Sequence, residues 1–287
     1  MEKGDTIGDV YRQASSLLGN AFEAELLLRK LLGYDRTAFY LHLQDRFPAH
    51  KWSEWKAWLK KRKAHQPIQY IVREQEFYGR LFEVDPSVLI PRPETEILVE
   101  NVLAYLDDHW CDQSPLVVDI GTGSGAIAVS LVAEKPNIEM IAIDCSTDAI
   151  RIATQNAKRH GVSDRIMFRC GDFLTPLQNY HQTIDVIVSN PPYIPTDQIP
   201  YLEKQVRDYE PHLALDGGFD GLVAYRTILS QLRTWELCSE RCMIAFEIGA
   251  EQKAEIVALI KRFFPAVEIK VVQDLAGFDR VILAELV

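Results

Sequence analysis

A polar turn follows an apolar run in the segment IDVIVSNPPYIP, residues 184–195. The run is typical of a buried strand, and it ends in Asn190, Pro191, Pro192 and Tyr193. The prolines fix φ and offer no N–H, which leaves the side-chain oxygen of Asn190 and the carbonyl oxygen of Pro191 as acceptors. Two acceptors on the two hydrogens of an amide or aromatic amine direct its nitrogen towards an electrophile, and Tyr193 offers a ring to stack on the planar group. The turn predicts group transfer to a planar nitrogen, catalysed mainly by positioning.

A glycine-rich loop lies upstream, in VVDIGTGSGAIAVSL. The pattern is a buried strand, a tight turn and a helix, and ligands of doubly wound sheets bind beyond the carboxyl ends of such strands. Glycines let the backbone turn sharply and approach a ligand closely. The spacing is G-x-G-x-G, with Ala126 in the sixth place, so it differs from the dinucleotide pattern G-x-G-x-x-G. The residues predicted to bind a cofactor here are Gly121, Thr122, Gly123, Ser124 and Gly125.

Acidic residues end the next two predicted strands. Asp144 comes nineteen residues after Gly125, where a carboxylate can accept hydrogen bonds from both hydroxyls of a ribose. Asp172 and Phe173 close the third strand, where they could bond the adenine amino group and flank its ring. Together with the glycine loop, Asp144 indicates a nucleoside cofactor that is either NAD-like or S-adenosylmethionine-like. A sulfonium methyl group is the electrophile that suits the polar turn.

The elements that must position these residues alternate between strands and helices. The alternation implies a mainly parallel, doubly wound sheet covered on both faces. Only a few residues separate the last two strands, so these are expected to pair as an antiparallel hairpin. The predicted strands are 115–120, 138–144, 165–172, 184–190, 242–249, 267–274 and 280–287.

The chain before this sheet has a different pattern. Residues 1–72 are predicted to form a small all-helical bundle, whose first helix starts at Thr6 and stops at Gly19. Tryptophans 52, 55 and 58 are expected to pack this bundle, with a docking surface as the alternative. Residues 73–92 are predicted to be a β-hairpin linker, and residues 93–287 the α/β domain.

Composition limits the classes of function. The 287 residues are 47% apolar and 25% charged, no apolar stretch reaches membrane-spanning length, and MEKGDTIGDVYRQ has no signal-peptide core, so we expect a cytoplasmic protein without a membrane partner. A net charge of −10 disfavours nucleic acid as a partner. The five cysteines show no CxxC pair and no zinc spacing, so no metal site is predicted. Nothing demands a dimer, and a monomer is expected.

Six segments closely resemble, in order and spacing, the release factor glutamine methyltransferases of the PrmC/HemK type. EAELLLRKLLGYDR also looks like the helical N-terminal domain of that family, so the resemblance covers nearly the whole chain. Its specific part is the pairing of PRPETE with NPPY. The segments are IPRPETE (90–96), DIGTGSGAIA (119–128), SNPPYIP (189–195), YEPHLALDGGFDGL (209–222), EIGAEQ (247–252) and DLAGFDRV (274–281).

The resemblance implies a class I methyltransferase fold: an α/β, Rossmann-like sheet of seven strands with a small N-terminal helical domain. It implies S-adenosyl-L-methionine as cofactor, S-adenosyl-L-homocysteine as product, and a protein-(glutamine-N5) methyltransferase activity. The substrate would be the side-chain amide of the glutamine in the Gly-Gly-Gln loop of bacterial class I peptide chain release factors. Two glycines before the target fit a deep, narrow site, because they carry no side chains.

The resemblance also implies roles for single residues. The glycine loop, Asp144 and Phe173 would contact the cofactor, and the Asn-Pro-Pro-Tyr turn would grip the glutamine amide, with Asn190 reaching both. Arg92 and Glu94 would lie over the site as part of its lid. Glu210 and the proline after it would shape the substrate entrance.

Three other functions compete with this one. An adenine-N6 or other exocyclic-amine methyltransferase acting on RNA or DNA needs the same fold, cofactor and turn, with the base flipped out. The acidic charge and the lack of a long basic stripe argue against it. A nonenzymatic cofactor-binding module leaves the intact turn unexplained. A NAD-linked oxidoreductase would need the G-x-G-x-x-G turn and a histidine near the hydride, and no histidine falls in the motifs.

Overall fold

The structure is a computed structural model that describes residues 4–110 and 113–286. Residues 1–3 of the predicted bundle, one of the five cysteines (Cys111) and the last residue of the predicted strand 280–287 lie outside the described residues. The chain divides into two compact units, Met1–Glu74 with Glu203–Tyr209, and Gln75–Leu202 with Glu210–Val287. The predicted borders of three segments, 1–72, 73–92 and 93–287, stay predictions.

Helices fill the first unit, and strands with covering helices fill the second. In chain order they are α1 (Ile7–Leu18), α2 (Ala21–Leu32), α3 (Arg36–Leu41), α4 (Trp52–Lys63), α5 (Ile68–Val72), β1 (Glu74–Phe77), β2 (Arg80–Glu83), α6 (Pro93–His109), β3 (Leu116–Ile120), α7 (Ala126–Glu134), β4 (Glu139–Asp144), α8 (Thr147–Arg159), β5 (Ile166–Cys170), β6 (Ile184–Ser189), α9 (Lys204–Arg207), α10 (Val223–Thr234), β7 (Cys238–Glu247), α11 (Lys253–Phe263), β8 (Val267–Gln273) and β9 (Asp279–Leu286).

The helical unit shows the capping and packing that its sequence predicts. Thr6 caps α1 by accepting from the backbone N–H of Asp9 at 3.1 Å, and the Asp9 carboxylate accepts from the N–H of Thr6 in return. Gly19 ends the helix in the left-handed conformation. Trp52 and Trp55 are buried in the apolar core of this unit, so their predicted packing role is confirmed. Trp58 packs half-buried against the same core.

The second unit is built on a seven-stranded sheet with the order β5-β4-β3-β6-β7-β9-β8. The first five strands are parallel, and β9 runs antiparallel to both β7 and β8. The predicted Rossmann-like fold with an antiparallel C-terminal hairpin is therefore confirmed. Three predicted borders are wrong by two or more residues: β7 begins at Cys238 rather than 242 and ends at Glu247 rather than 249, and β5 ends at Cys170 rather than 172.

The strand order decides where ligands can bind. β3 and β6 are neighbours, with Val118 opposite Ile187, but the chain visits β4 and β5 between them. The order of strands thus reverses at this pair, and the carboxyl edge beside such a reversal is the usual ligand crevice of an open α/β sheet. The glycine loop follows β3, and the Asn-Pro-Pro-Tyr turn follows β6. Both therefore open onto one crevice.

Apolar layers cover both faces of the sheet, because its central strands are buried on both sides. One layer combines α6 and α7 with the hairpin β1–β2, whose Phe77 and Phe82 are buried in it. The other combines α10 and α11, through side chains such as Tyr225 and Ile256. The predicted hairpin is confirmed for residues 74–83, whereas residues 84–92 contain no strand. Across the ranges 4–110 and 113–286, no helix is long and apolar enough to cross a membrane.

Candidate active site

A cavity of about 490 Å³ lies at the carboxyl edge of the sheet, inside the second unit. This volume is within the usual range for a small-molecule site. Its walls come from the ends of β3, β4, β5 and β6, from residues 87–89 and from residues 211–216. Nine residues predicted from the sequence line it: Gly121, Gly123, Asp144, Asp172, Phe173, Asn190, Pro191, Pro192 and Pro211.

The glycine loop forms the floor of this cavity. Gly121 and Gly123 have φ of 75° and 55°, in the left-handed region that favours glycine, and nothing near them would block an approaching ligand. Gly125 begins α7, and a Cβ there would lie 3.1 Å from the Cβ of Ala153, so this glycine permits close packing against α8. The three glycines therefore divide between ligand access and packing.

The two hydroxyl residues of the loop are buried and lie away from the cavity wall. Thr122 donates from Oγ1 to the Asp119 carboxylate at 2.6 Å. The carbonyl of Ser124 accepts a bond of 2.8 Å from the Asn156 side chain. The structure thus gives Thr122 and Ser124 contacts that shape the loop.

Asp144 is held by the backbone on both carboxylate oxygens. Its Oδ2 accepts from the N–H of Gly123 and its Oδ1 from the N–H of Ser146, both at 2.9 Å. Burial raises the pKa of this carboxyl, against the backbone hydrogen bonds that lower it. A carboxylate offers about four acceptor positions. The Cys145 thiol also donates to Oδ1, at 3.9 Å, so Oδ2 is the oxygen with a position left for a ligand hydroxyl, in a side chain that cannot swing away.

Asp172 and Phe173 stand on the same rim, after β5. Asp172 is exposed, and Phe173 is half-buried with a φ of 47°. The left-handed conformation is unfavourable for a residue with a bulky side chain, and such strain is concentrated at functional sites. Both side chains line the cavity as predicted.

Asn190 and Pro191, which carry the two predicted acceptors of the Asn-Pro-Pro-Tyr turn, line the cavity. The side-chain N–H of Asn190 donates to Oγ1 of Thr95 at 3.1 Å, and this leaves Oδ1 as an acceptor. In the part of the chain that the structure describes, neither Oδ1 of Asn190 nor the carbonyl of Pro191 accepts a hydrogen bond. The hydroxyl of Ser189 donates to the carbonyl of Ile120 at 2.6 Å and so ties this turn to the glycine loop.

Tyr193 supports the turn from behind and is not among the residues that line the cavity. Its carbonyl accepts from the side chain of Gln252 at 2.9 Å, and its ring lies against Gly249. Burial, and then the charge of Glu247, raise the pKa of the Tyr193 phenol to about 12. The phenol is therefore neutral and suited to packing against a planar group.

The segment LDGGFDGL, residues 215–222, lies directly behind the Asn-Pro-Pro-Tyr turn, and this position explains its glycines. A Cβ on Gly221 would lie 2.4 Å from the carbonyl oxygen of Tyr193, and one on Gly217 would lie 2.8 Å from that of Pro192. Ile194 and Asp216 form a parallel bridge between the two segments. The turn thus rests directly on backbone, and only glycine fits there.

Arg92 and Glu94 are placed at the start of α6, and neither lines the cavity. Arg92 forms an ion pair with Glu210, which is buried and also accepts from the N–H of Ile90 at 3.2 Å. Glu94 is exposed in the first helical turn. The residue after Glu210, Pro211, does line the cavity. Arg92 and Glu210 therefore fasten together the two segments that wall it.

Three buried polar residues near the site were not predicted from the sequence. Thr95 and Glu247 are 5% and 1% exposed and lie behind Asn190, and Asp119 is fully buried beneath the glycine loop. Burial raises the pKa of Asp119 and of Glu247 to about 7. Glu247 ends β7 as Asp144 ends β4, so the rule that found Asp144 could have found it. Thr95 lies within the PRPETE segment, but nothing in its spacing shows that it reaches Asn190.

Comparisons with known proteins bear on the family and the fold of this chain. Residues 9–72 match the family model for the PrmC N-terminal domain, and residues 112–255 match a methyltransferase domain model. A release factor glutamine methyltransferase of Bacillus anthracis is 37% identical over 262 residues, which cover 91% of each chain. That of Enterococcus faecalis is 39% identical over 284 residues, covering 96% of this chain and 98% of its own.

A solved structure adds support for the fold alone. The human methyltransferase 10 domain containing protein is 16% identical and covers 72% of this chain and 88% of its own, with a TM-score of 0.52. The two curated relatives match this chain over 91% and 96% of its length. The chain belongs to the release factor glutamine methyltransferase family.

Proposed function

We propose that this protein methylates the side-chain amide nitrogen, N5, of the glutamine in the Gly-Gly-Gln motif of class I peptide chain release factors. One observation carries the proposal: Oδ1 of Asn190 and the carbonyl of Pro191 are two open acceptors on one rigid turn at a small-molecule cavity. A primary amide has two N–H hydrogens to place on them. The relatives' names support release factors as the substrate.

The residues at the other side of the cavity fit S-adenosyl-L-methionine, which supplies an electrophilic methyl group when bound. Gly121 and Gly123 leave their backbone open to the ligand, and the acceptor position left on Oδ2 of Asp144 suits a ribose hydroxyl. Asp172 and Phe173 stand where an adenine amino group and ring would lie. Thr122, Ser124 and Gly125 would act by shaping the loop. S-adenosyl-L-homocysteine is the expected product.

Positioning explains the catalysis. The lone pair of an amide nitrogen is delocalised, so the free amide is a weak nucleophile. Asn190 and Pro191 would hold both amide hydrogens, so that the lone pair faces the methyl donor, and orientation of this kind can supply much of a rate enhancement. The N–C bond would form as the methyl–sulfur bond breaks, which leaves a neutral thioether. Oδ1 of Asn190 would then hold a hydrogen bond to the surplus proton until nitrogen releases it to solvent. No general base is needed before attack.

The remaining predicted residues would keep the turn and its approach in place. Tyr193 offers an uncharged ring behind Asn190, and Pro192 completes the rigid backbone of the grip. Arg92, through its pair with Glu210, would brace the entrance, with Glu94 beside it. We also propose that the protein is a monomer. Release factors act on ribosomes, so we also propose a cytoplasmic site of action.

A labelling experiment tests the proposed function. The protein is incubated with methyl-labelled S-adenosylmethionine and, separately, with a class I release factor, its Gly-Gly-Gln glutamine-to-alanine variant, and a mixture of RNA and DNA. We expect label only on the unaltered release factor. Label on nucleic acid would instead support the exocyclic-amine methyltransferase, and label that persists on the alanine variant would overturn the glutamine assignment.

A further inference from the structure

A chain of hydrogen bonds leads from a buried carboxyl to the amide that faces the cavity. Oγ1 of Thr95, on α6, donates to Oε2 of Glu247, at the end of β7, over 2.6 Å. The side-chain nitrogen of Asn190, after β6, donates to the same Oγ1 over 3.1 Å. Glu247 is 1% and Thr95 5% exposed, so water has little access to either. Three separate elements thus meet at one hydroxyl.

The direction of these bonds is fixed by the ionised carboxylate. A carboxylate can only accept, so the Thr95 hydroxyl must donate its one hydrogen to Glu247. Oγ1 then has only lone pairs left, and it can bond only the N–H₂ end of the Asn190 amide. The oxygen end of that amide must therefore point the other way, towards the cavity. An amide is otherwise free to turn either end to a partner.

We propose that Glu247, acting through the hydroxyl of Thr95, sets the orientation of the Asn190 amide so that its oxygen meets the substrate N–H. Glu247 and Thr95 are then positioning residues, since neither touches the substrate nitrogen. The inference rests on the proposed function and explains how its key acceptor is held.

The charges around Glu247 make this orientation dependent on pH. Burial dominates and raises the pKa of the carboxyl to about 7. The hydrogen bond from Thr95, the charge of Arg280 on β9 and a direct interaction with the Asn190 side chain lower this pKa, and Glu94 raises it. Tyr193 and Tyr225 also lie near, the latter through a bond of 2.8 Å from its hydroxyl to the Glu247 carbonyl. Both tyrosines are neutral, because their pKa values are raised. Glu247 is therefore the member of this group that changes charge near neutrality.

Protonation would remove the constraint on the amide. A neutral Glu247 can donate to Oγ1 of Thr95, and the threonine hydroxyl is then free to donate to the oxygen of Asn190. The amide would turn its N–H₂ end to the cavity and oppose the N–H₂ of the substrate. Methyl transfer should therefore fall on the acid side of pH 7.

Matched substitutions test the relay by kinetics. Thr95→Val keeps the shape without the hydroxyl and should lower kcat about 10²-fold, an effect typical of a misplaced catalytic group, with cofactor affinity retained. Thr95→Ser keeps the hydroxyl and should restore most of kcat. In a plot of kcat against pH, the wild type should show an acid limb, a fall in kcat below about pH 7. Glu247→Gln should abolish this acid limb, whereas the exposed control Glu255→Gln on α11 should retain it. Equal rates for the Val and Ser variants, or an acid limb that survives in Glu247→Gln, would overturn the proposal.

A second readout is independent of turnover. The side-chain ¹⁵N resonance of Asn190, in protein without cofactor, should shift with pH around 7 in the wild type and in Glu255→Gln, and not in Glu247→Gln. A resonance that ignores pH in the wild type overturns the relay even if the enzyme is active. A wild type that titrates but leaves release factor unlabelled overturns the proposed function instead. The same titration decides the matter if Thr95→Val fails to fold.

Discussion

Asn190 carries one of the two acceptors on which the proposed chemistry depends. Asn190→Ala removes it and leaves the glycine loop and Asp144 unchanged, so cofactor affinity should stay within a few-fold while kcat falls about 10²–10³-fold, as when one preorganised hydrogen-bonding group is removed from an active site. Calorimetry and single-turnover rates measure the two effects.

The control for this prediction is Asn101→Ala. Asn101 lies on α6, where its side chain donates to the carbonyl of Ile97 at 2.8 Å, and it is not part of the cavity wall. Its loss should change neither rate nor affinity. A wild-type rate in Asn190→Ala would show that the turn does not act through this side chain.

Asp144 should affect the cofactor rather than the methyl transfer itself. In Asp144→Asn, the new N–H₂ faces the backbone N–H of either Gly123 or Ser146, and one charged acceptor for the ribose is lost. Losing a hydrogen bond to a charged group costs roughly 1.5–3 kcal/mol, which is about a 10- to 100-fold weaker Kd. The exposed residue Asp164 offers the control Asp164→Asn, and an unchanged Kd in Asp144→Asn would remove Asp144 from the cofactor site.

Single residues show how far the sequence could lead. Asp144 and Asn190 were predictable because each is polar and directly follows an apolar strand, and the carboxyl ends of parallel strands share one edge. Thr95 was not, because its partner is 95 residues away and on another element. Arg92 was expected over the site, and its ion pair with a buried glutamate appears only in the folded chain.

Among the elements, the loop behind the Asn-Pro-Pro-Tyr turn allows a sharp test. Gly221→Ala places a methyl group 2.4 Å from the carbonyl of Tyr193, at a φ of 74°. We expect the free energy of unfolding to fall by at least about 2 kcal/mol, and methyl transfer to weaken because the turn must shift.

Gly277→Ala is the matched control for this substitution. Gly277, in the β8–β9 turn, has a φ of 83° but nothing within 4 Å of an added Cβ. Its loss should cost only the left-handed strain, about 1 kcal/mol, and leave activity intact. Equal effects of the two substitutions in urea unfolding would show that the close approach at 221 is unimportant.

Apolar runs separated by helical patterns were enough to predict where along the chain the strands fall. They were not enough to predict the first and last residue of each strand. β7 starts at Cys238, in a polar, largely exposed stretch that has no strand signal of its own. It is extended there because Cys238 pairs with Ile184 across an irregularity in the ladder. Contacts with a neighbouring strand decide such borders, and these contacts are absent from the local sequence.

At the scale of the whole molecule, two buried acids should make stability depend on pH. The pKa values of Asp119 and Glu247 rise to about 7 on folding, so the folded chain binds more protons than the unfolded chain from about pH 4 to 7. Their contribution is complete below the unfolded pKa and is lost as pH rises through 7. Each shift is worth on the order of 2–4 kcal/mol.

Asp119→Asn tests this dependence, because an amide mimics the neutral acid and cannot ionise. Between pH 5 and pH 8 the variant should lose less stability than the wild type, measured by urea unfolding at both values. Asp164→Asn serves again as an exposed control and should follow the wild type. Parallel losses in all three proteins would contradict the assignment of a raised pKa to Asp119.

The position of β9 has a consequence for how the protein is made. β9 separates β8 from β7 although it follows both in the chain, so during synthesis β8 emerges with no strand to join. Glu247, whose carboxyl orients Asn190, pairs with Val281 of β9. The backbone around Glu247 therefore gains this neighbouring strand only at the end of synthesis. Long-range pairing of this kind is slow and leaves strand edges open. A nascent chain halted just after the Asn-Pro-Pro-Tyr turn would thus carry the glycine loop, Asp144 and the turn itself, but neither Glu247 nor a working site.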